Sequence, residues 1–458
     1  MSDSIGQGQM PMANRQERAI LATLVLNESG VAGQEEAARS MDELAELAES
    51  AGAVVVGRAM QRRPAADPAY FIGKGKVQEL RDACAAQSAD LIIFDDELTG
   101  SQIRNIENLT DCKVIDRTLL ILDIFARRAR SREGKLQVEL AQQQYRLTRL
   151  VGLGQALSRL GGGIGTRGPG ESKLESDRRH INRRVLYLKQ ALAELAEQRG
   201  RTRHQRQERE MLTFAVVGYT NAGKSTLINN LCQSSLLTAD QVFATLDPSV
   251  RRLPLPDGNP VLLVDTVGLI RKLPHHLVEA FQATLEEASE ADAILEVIDT
   301  ADPDAAAQMA VVEDLLVRLD AAGKPRFFVF NKMDLLPDEP DAADPDQIDT
   351  EPAGLDSELY AKLPAGQRKQ AFLVSALKGS GLDSLRQAII DFCTASQLGC
   401  DILLPYPQAG LLAYIRRYGR LDQVSYLPEG ISASIHIGYS HFNPLRPYVR
   451  LAEKAEER

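Results

Sequence analysis

The sequence predicts an α/β multidomain protein, and three observations carry that prediction. Strand-like apolar runs alternate with helix-like stretches over the first 130 residues, and again from Met211 to about residue 395. A basic segment with helical periodicity separates the two. Within the second stretch, the apolar run Leu212–Val217 feeds into a glycine-rich loop that opens a helix.

Length and composition set the frame. The 458 residues leave room for three or four domains, and 44% hydrophobic with 25% charged residues is a globular balance with ample material for cores. No run of about 18 apolar residues occurs, so no membrane span is expected. Met1–Asn14 lacks the charged start and apolar middle of a secretory signal, which makes the cytoplasm the expected location. The five cysteines are scattered, with no CxxC pair, which points to thiols in a reducing compartment and away from disulfides or zinc. A net charge of −10 speaks against a polyanionic partner, but the charge is segregated. Ala126–Glu210 carries twenty Lys/Arg against nine Asp/Glu, a local excess of +11, and leaves −21 for the remainder. Such asymmetry turns one segment toward a polyanion.

The elements follow in order. Residues 1–130 read as an N-terminal α/β domain, with strands at Arg18–Leu26, Ala53–Met60, Asp90–Phe94 and Lys113–Ile115. Helices are expected at Ser40–Ser50, Lys76–Ala86, Gly100–Asn108 and running into Phe125. Residues 131–210 read as a basic antiparallel helical hairpin. One stripe is Leu136, Leu140, Leu147 and Leu150; the other is Ile181, Val185, Leu188, Leu192 and Leu195, stepping by 4, 3, 4 and 3. Two heptads each are too short for a free coiled coil, and the glycine-rich Gly161–Gly170 forms the tip. Residues 211–395 form a P-loop domain with a mainly parallel sheet and an acidic insert at 335–365, where Asp338–Glu358 holds nine acidic residues and no basic one. Residues 396–458 close the chain as a small C-terminal α/β domain: a strand at Asp401–Pro405, a helix at Ala409–Tyr418 and a hairpin around Pro428–Gly430.

Four motifs in this third segment carry chemistry. Gly218-Tyr219-Thr220-Asn221-Ala222-Gly223-Lys224-Ser225, followed by Thr226 in the helix, matches G-x-x-x-x-G-K-[ST]. Its glycines let backbone N–H groups turn inward around a phosphate at a helix N-terminus, with Lys224 reaching the β/γ-phosphates and Ser225 offering an oxygen to Mg²⁺. The apolar run Val261–Val264 ends in Asp265-Thr266-Val267-Gly268, which places a carboxylate for Mg²⁺ and a Gly268 N–H for the γ-phosphate. Phe327–Phe330 ends in Asn331-Lys332-Met333-Asp334. A carboxylate at Asp334 accepts from the guanine N1–H and N2–H₂, a pattern adenine lacks, and the Lys332 stem packs over the base. Finally Ser375-Ala376-Leu377 presents the Ala376 N–H for guanine O6. Four motifs in this order, each at a strand end, specify GTP as substrate. A threonine for Mg²⁺ is expected from the intervening loop, where Thr238 and Thr245 are available and Thr245 in Phe243-Ala244-Thr245-Leu246-Asp247 is favoured.

Along nearly its whole length the chain resembles the HflX family of ribosome-associated GTPases. The likeness rests on Gly163–Glu171 with Arg178-Arg179, on Gly218–Ser225 and Phe243–Asp247, and on Leu273-Pro274-His275, Leu277-Val278 and Ala280-Phe281. Gly73-Lys74-Gly75-Lys76 looks like the family's as well. The resemblance implies a GTP switch that binds the large (50S) ribosomal subunit and its rRNA and splits or rescues stalled ribosomes. Two positions depart from pattern. Leu269 stands where many GTPases place the glutamine that orients water, and where the family commonly has phenylalanine, so intrinsic hydrolysis is expected to be slow and to rise on the ribosome. Pro248-Ser249-Val250-Arg251 differs from the threonine-rich form after switch I.

Other readings stay open at this point. Asn221 fits either a K⁺ ligand beside the nucleotide or an asparagine that shapes its own loop. Gly73–Lys76 fits either half of an ATP cradle or lysines that touch rRNA, so an RNA-remodelling factor with a second ATP site is the alternative function. A binding module that senses GTP and rarely hydrolyses it is a third. No feature indicates stable oligomers, so a monomer is expected away from the ribosome.

Overall fold

The structure is a computed structural model that describes residues 16–27, 30–158, 169–208, 211–232, 247, 249–255, 260–272, 286–336, 357–395, 397–438 and 441–450. The chain divides into two compact units, Met1–Ala191 with Leu273–Ala280 and Leu192–Lys272 with Phe281–Arg458.

In the first unit the order is β1 (Arg18–Leu26), α1 (Gly30–Ser50), β2 (Val54–Arg63), α2 (Lys74–Gln87), β3 (Leu91–Phe94), α3 (Gly100–Thr110), β4 (Lys113–Asp116) and α4 (Arg117–Arg128). The strands form one sheet in the order β2-β1-β3-β4, with every pairing parallel. β3 is buried from end to end, as its unbroken Leu-Ile-Ile-Phe requires, whereas β2 at the edge alternates. α1 starts ten residues before the expected Ser40, because its first turns are exposed and carry no apolar stripe to betray them. Thr99 and Gln102 form a capping box on α3, and the Asp116 carboxylate caps α4 by accepting from the Leu119 N–H at 3.0 Å. Beside them lies a buried ionic knot. Arg117, only 2% exposed, pairs with Asp95 and Glu43 at 2.8 Å each, and Ser40 Oγ donates to Asp95 at 2.7 Å.

The basic segment forms α5 (Arg132–Ser158) and α6 (Pro169–Glu208). The Arg184 guanidinium grips the Glu139 carboxylate at 2.6 and 2.8 Å, and residues 145–150 of α5 line a cavity with residues 177–181 of α6, so the helices run antiparallel. The two stripes fare alike: Leu188 on α6 and Leu140 on α5 are buried and their other members are half-buried, while Leu186 and Tyr187 face outward. On α5, Val138, Ala141 and Tyr145 are buried too, because that helix also packs on α3 and α4. The glycine-rich tip at 161–168 lies outside the described residues.

In the second unit, six strands form a sheet in the order β10-β9-β8-β5-β7-β6. They are β5 (Thr213–Gly218), β6 (Ser249–Leu253), β7 (Val261–Asp265), β8 (Ala293–Asp299), β9 (Arg326–Asn331) and β10 (Ala371–Leu373). All pairings are parallel except β6 with β7. Helix α7 (Lys224–Cys232) follows β5, and Phe214, Phe327 and Phe392 meet ring to ring in the core at 5.5–5.7 Å. The C-terminal sheet is antiparallel, β11 (Gln397–Leu404), β13 (Gly430–Gly438) and β12 (Gly419–Leu427) in that order, backed by helix Gly410–Tyr418. The expected hairpin joins β12 to β13 at Pro428–Glu429. The acidic insert at 338–356 lies outside the described residues.

Removing Asp95 takes one of two carboxylates from buried Arg117 and the acceptor from Ser40 Oγ. Asp95→Ala is expected to cost about 3–5 kcal/mol in urea unfolding followed by circular dichroism, and a loss under about 1 kcal/mol would show that Glu43 alone satisfies the guanidinium.

Candidate active site

The carboxyl ends of β5, β7, β9 and β10 deliver the four motifs to one edge of the parallel sheet, where ligands of open α/β folds bind. After β5 the chain turns through Gly218 (φ 152°), Asn221 (φ 62°) and Gly223 (φ 92°) before α7 begins at Lys224. A Cβ at Gly218 would strike the Val297 carbonyl, so glycine is required there by space as well as by φ. The left-handed backbone at Asn221 is one that asparagine tolerates. Lys224 is buried, and its ammonium donates to the carbonyls of Gly218 and Tyr219 at 3.1 and 2.7 Å. Burial pulls its pKa down to about 8, opposed by the charge of Asp265.

Asp265 ends β7, fully buried, and accepts from Ser225 Oγ at 2.9 Å. Thr266 Oγ1 donates to the Val216 carbonyl at 2.7 Å. The phosphate loop and the segment after Asp265 are stitched by Thr220 N to Leu269 O (2.8 Å) and Leu269 N to Gly218 O (3.2 Å). Gly268 is thereby pressed against Thr220 and the Lys224 ammonium, where a Cβ would sit 2.8 Å and 3.1 Å from their nearest atoms. The Leu269 side chain is buried.

Asn331, at the end of β9, links two loops. Its Nδ2 donates to the Ala222 carbonyl at 2.8 Å, and its Oδ1 accepts from the Ala376 N–H at 2.8 Å. The Ala376 N–H, the donor expected for guanine O6, is thus held by Asn331 in this structure. The next amide, at Leu377, has no hydrogen-bond partner among the described residues, and the Leu377 side chain is 77% exposed. Lys332 takes a left-handed φ of 66° and its ammonium pairs with Asp299 at 2.6 Å. Met333 is buried, its N–H on the Val374 carbonyl at 3.2 Å. Ser375 Oγ donates to Asp334 at 2.6 Å, which orients that carboxylate. The phosphate loop, Asp265–Gly268, Asn331–Asp334 and Ser375–Leu377 therefore share one site. Phe243, Ala244, Thr245 and Leu246 lie outside the described residues, as do the 273–281 motifs.

Three relatives and three family models fit this geometry. The family models match as "GTP-binding GTPase N-terminal" over residues 38–126, "GTP-binding GTPase Middle Region" over 128–206 and "50S ribosome-binding GTPase" over 213–332. A GTPase HflX of Caldanaerobacter subterraneus subsp. tengcongensis is 44% identical across 97% of this chain and 96% of its own. That of Lacrimispora saccharolytica is 43% identical across 96% and 97%, and that of Escherichia coli K12 is 41% identical across 88% and 90%. This chain belongs to the HflX family of GTPases. As a member of HflX it is a P-loop enzyme that binds GTP and hydrolyses it.

Two partners in this HflX site escaped the sequence reading. Asp299, which holds Lys332, ends β8, and its position at a strand end on the same edge is the signal that would have found it. The bridging role of Asn331 had no such signal, because its two partners are 109 and 45 residues away. The Gly73–Lys76 run does sit at the start of α2, but the Gly73 N–H donates to Gln61 at 2.7 Å and Lys76 pairs with Glu79 at 2.8 Å. One amide and one lysine of that half-cradle are already engaged.

Asn331→Ala breaks both links and leaves the Ala222 carbonyl and the Ala376 N–H unpaired. The affinity for GDP, measured by titration calorimetry, is expected to fall by at least about tenfold with the fold retained by circular dichroism; unchanged affinity would show that the loops are held by other contacts.

Proposed function

We propose that GTP binding and hydrolysis in this chain drive its association with the large ribosomal subunit and the splitting or rescue of stalled ribosomes. One observation carries the ribosomal half of this reading: the charge excess of +11 within Ala126–Glu210 belongs to a helical pair whose Arg178, Arg179 and Arg183 are exposed. Exposed arginines on a rigid rod suit the phosphate backbone of rRNA. The family description "50S ribosome-binding GTPase" over residues 213–332 supports the same partner.

In the GTP-bound state, Asp334 accepts from the guanine N1–H and N2–H₂, Leu377 N–H donates to O6, and the Lys332 stem covers one face of the base. Lys224 gives up the Gly218 and Tyr219 carbonyls for the β/γ-phosphates, while Gly218, Tyr219, Thr220, Asn221, Ala222 and Gly223 wrap them. The hydrogen-bonded pair of Ser225 and buried Asp265 is the oxygen set a hard divalent cation takes, so these residues, with Thr245, would hold Mg²⁺. When bound, that ion offsets phosphate charge. Gly268 N–H meets the γ-phosphate and reports its loss through Leu269, which is tied to the phosphate loop. A buried leucine at 269 orients no water, which makes slow intrinsic turnover, raised by the ribosome, the reading this site supports. Asn221 is exposed at the loop's outer turn, where it can also contribute to a K⁺ site; its left-handed φ accounts for asparagine with or without that ion.

Hydrolysis is to be measured with and without large subunits, for the wild type and Lys224→Ala, in KCl and in NaCl. Stimulation by the subunits that vanishes in the variant is expected, with a faster rate in KCl. A rate indifferent to subunits would sink the ribosomal reading, and equal rates in the two salts would remove the K⁺ role alone.

A further inference from the structure

A cavity of about 470 Å³ lies between α5 and α6, large enough for one planar heterocycle, and Tyr145, Leu150 and Ile181 contribute its walls. Its inner side is anchored to the sheet. The Tyr145 hydroxyl donates to Asp116 at 2.9 Å, the Arg149 guanidinium lies 4.5 Å over the Tyr145 ring, and one arm of that guanidinium pairs with the same Asp116 carboxylate. Asp116 also caps α4 and accepts from the Leu98 N–H at 3.2 Å, so the wall is held before any ligand arrives. The other terminal nitrogen of Arg149, Nη1, is buried with no hydrogen-bond partner among the described residues. Nη1 therefore presents no surface to the cavity, and the guanidinium serves as part of the fixed wall. Among the lining residues, Asp177 is an exposed carboxylate that can accept from an amino group and Arg146 is an exposed cation; Arg178 and Arg179 follow Asp177 on α6 and are exposed as well.

We propose that this slot takes an unstacked base of an RNA strand, one that carries an exocyclic amino group, as cytosine does. The base lies between Tyr145, Leu150 and Ile181, with its amino group turned to Asp177. The flanking phosphates meet Arg146 and the arginines of α6. Single-stranded or bulged RNA exposes bases in this way, and duplex RNA does not. Stacking of the base on apolar and aromatic walls supplies affinity that backbone contacts alone lack. This inference rests on the ribosomal reading above and names one contact within it.

The test uses the full chain saturated with GDP, which occupies the guanine site, and a fluorescent cytidine decamer beside an abasic ribose-phosphate decamer. Anisotropy titration is expected to show the cytidine strand binding about tenfold more tightly. Ile181→Trp, which fills the slot, erases that difference, and Asp177→Ala, at an exposed position that the fold does not need, narrows it. Equal binding of the two decamers, or a difference that survives both substitutions, overturns the proposal. Cytidine monophosphate binding as tightly as the decamer overturns the assignment to an RNA strand. Co-sedimentation with large subunits separates the two levels. If the wild type fails to pellet with subunits, the ribosomal reading falls; if it pellets but shows no base preference, the slot alone falls.

Discussion

The pair of hydrogen bonds made by Asn331 is the constraint on which the nucleotide site depends. A primary amide is the side chain that both donates and accepts through one rigid plane. Nδ2 holds the Ala222 carbonyl of the phosphate loop and Oδ1 holds the Ala376 N–H. An aspartate would lose the donor, and a leucine would lose both. The amide also fills the space beside Gly223, where any Cβ would collide with Asn331 Nδ2. The glycine of the phosphate loop is thus required by an asparagine more than a hundred residues away.

The first unit uses charge differently. Around Arg117 and Asp116 each ion pair has at least one almost fully buried member. Such pairs add modestly to stability and strongly penalise a missing partner, so they fix geometry more than they strengthen it. On α6, Arg178, Arg179 and Arg183 are exposed, where each ion pair is worth little to folding and the charge serves long-range attraction. Asp116 stands where these two uses meet, since it caps α4 and grips Tyr145 and Arg149 on α5.

Much of the architecture was legible because its signals are local. The continuous apolar runs at β1 and β3, the alternation at β2 and the strand–loop–helix at Gly218–Lys224 each occupy fewer than about a dozen residues, the span over which periodicity speaks. The stripes of α5 and α6 were legible for the same reason. The burial of Val138, Ala141 and Tyr145 on α5 was missed because that helix is covered from two directions, and a seam of leucines assumes one. The start of α1 was missed because exposed turns carry no apolar period.

By itself the sequence determined the order of the elements, the four strand-end motifs and the segregation of positive charge into residues 126–210. These are properties of short windows or of composition, and covalent order conveys them. Only the tertiary structure decided that Asn331 spends the Ala376 amide, that Asp299 holds Lys332, that Asp116 gathers three elements and that a slot opens between Tyr145 and Ile181. Each of those joins residues tens of positions apart. Their meeting is set by the parallel register of the sheets and the packing of helices upon them, which no local pattern encodes.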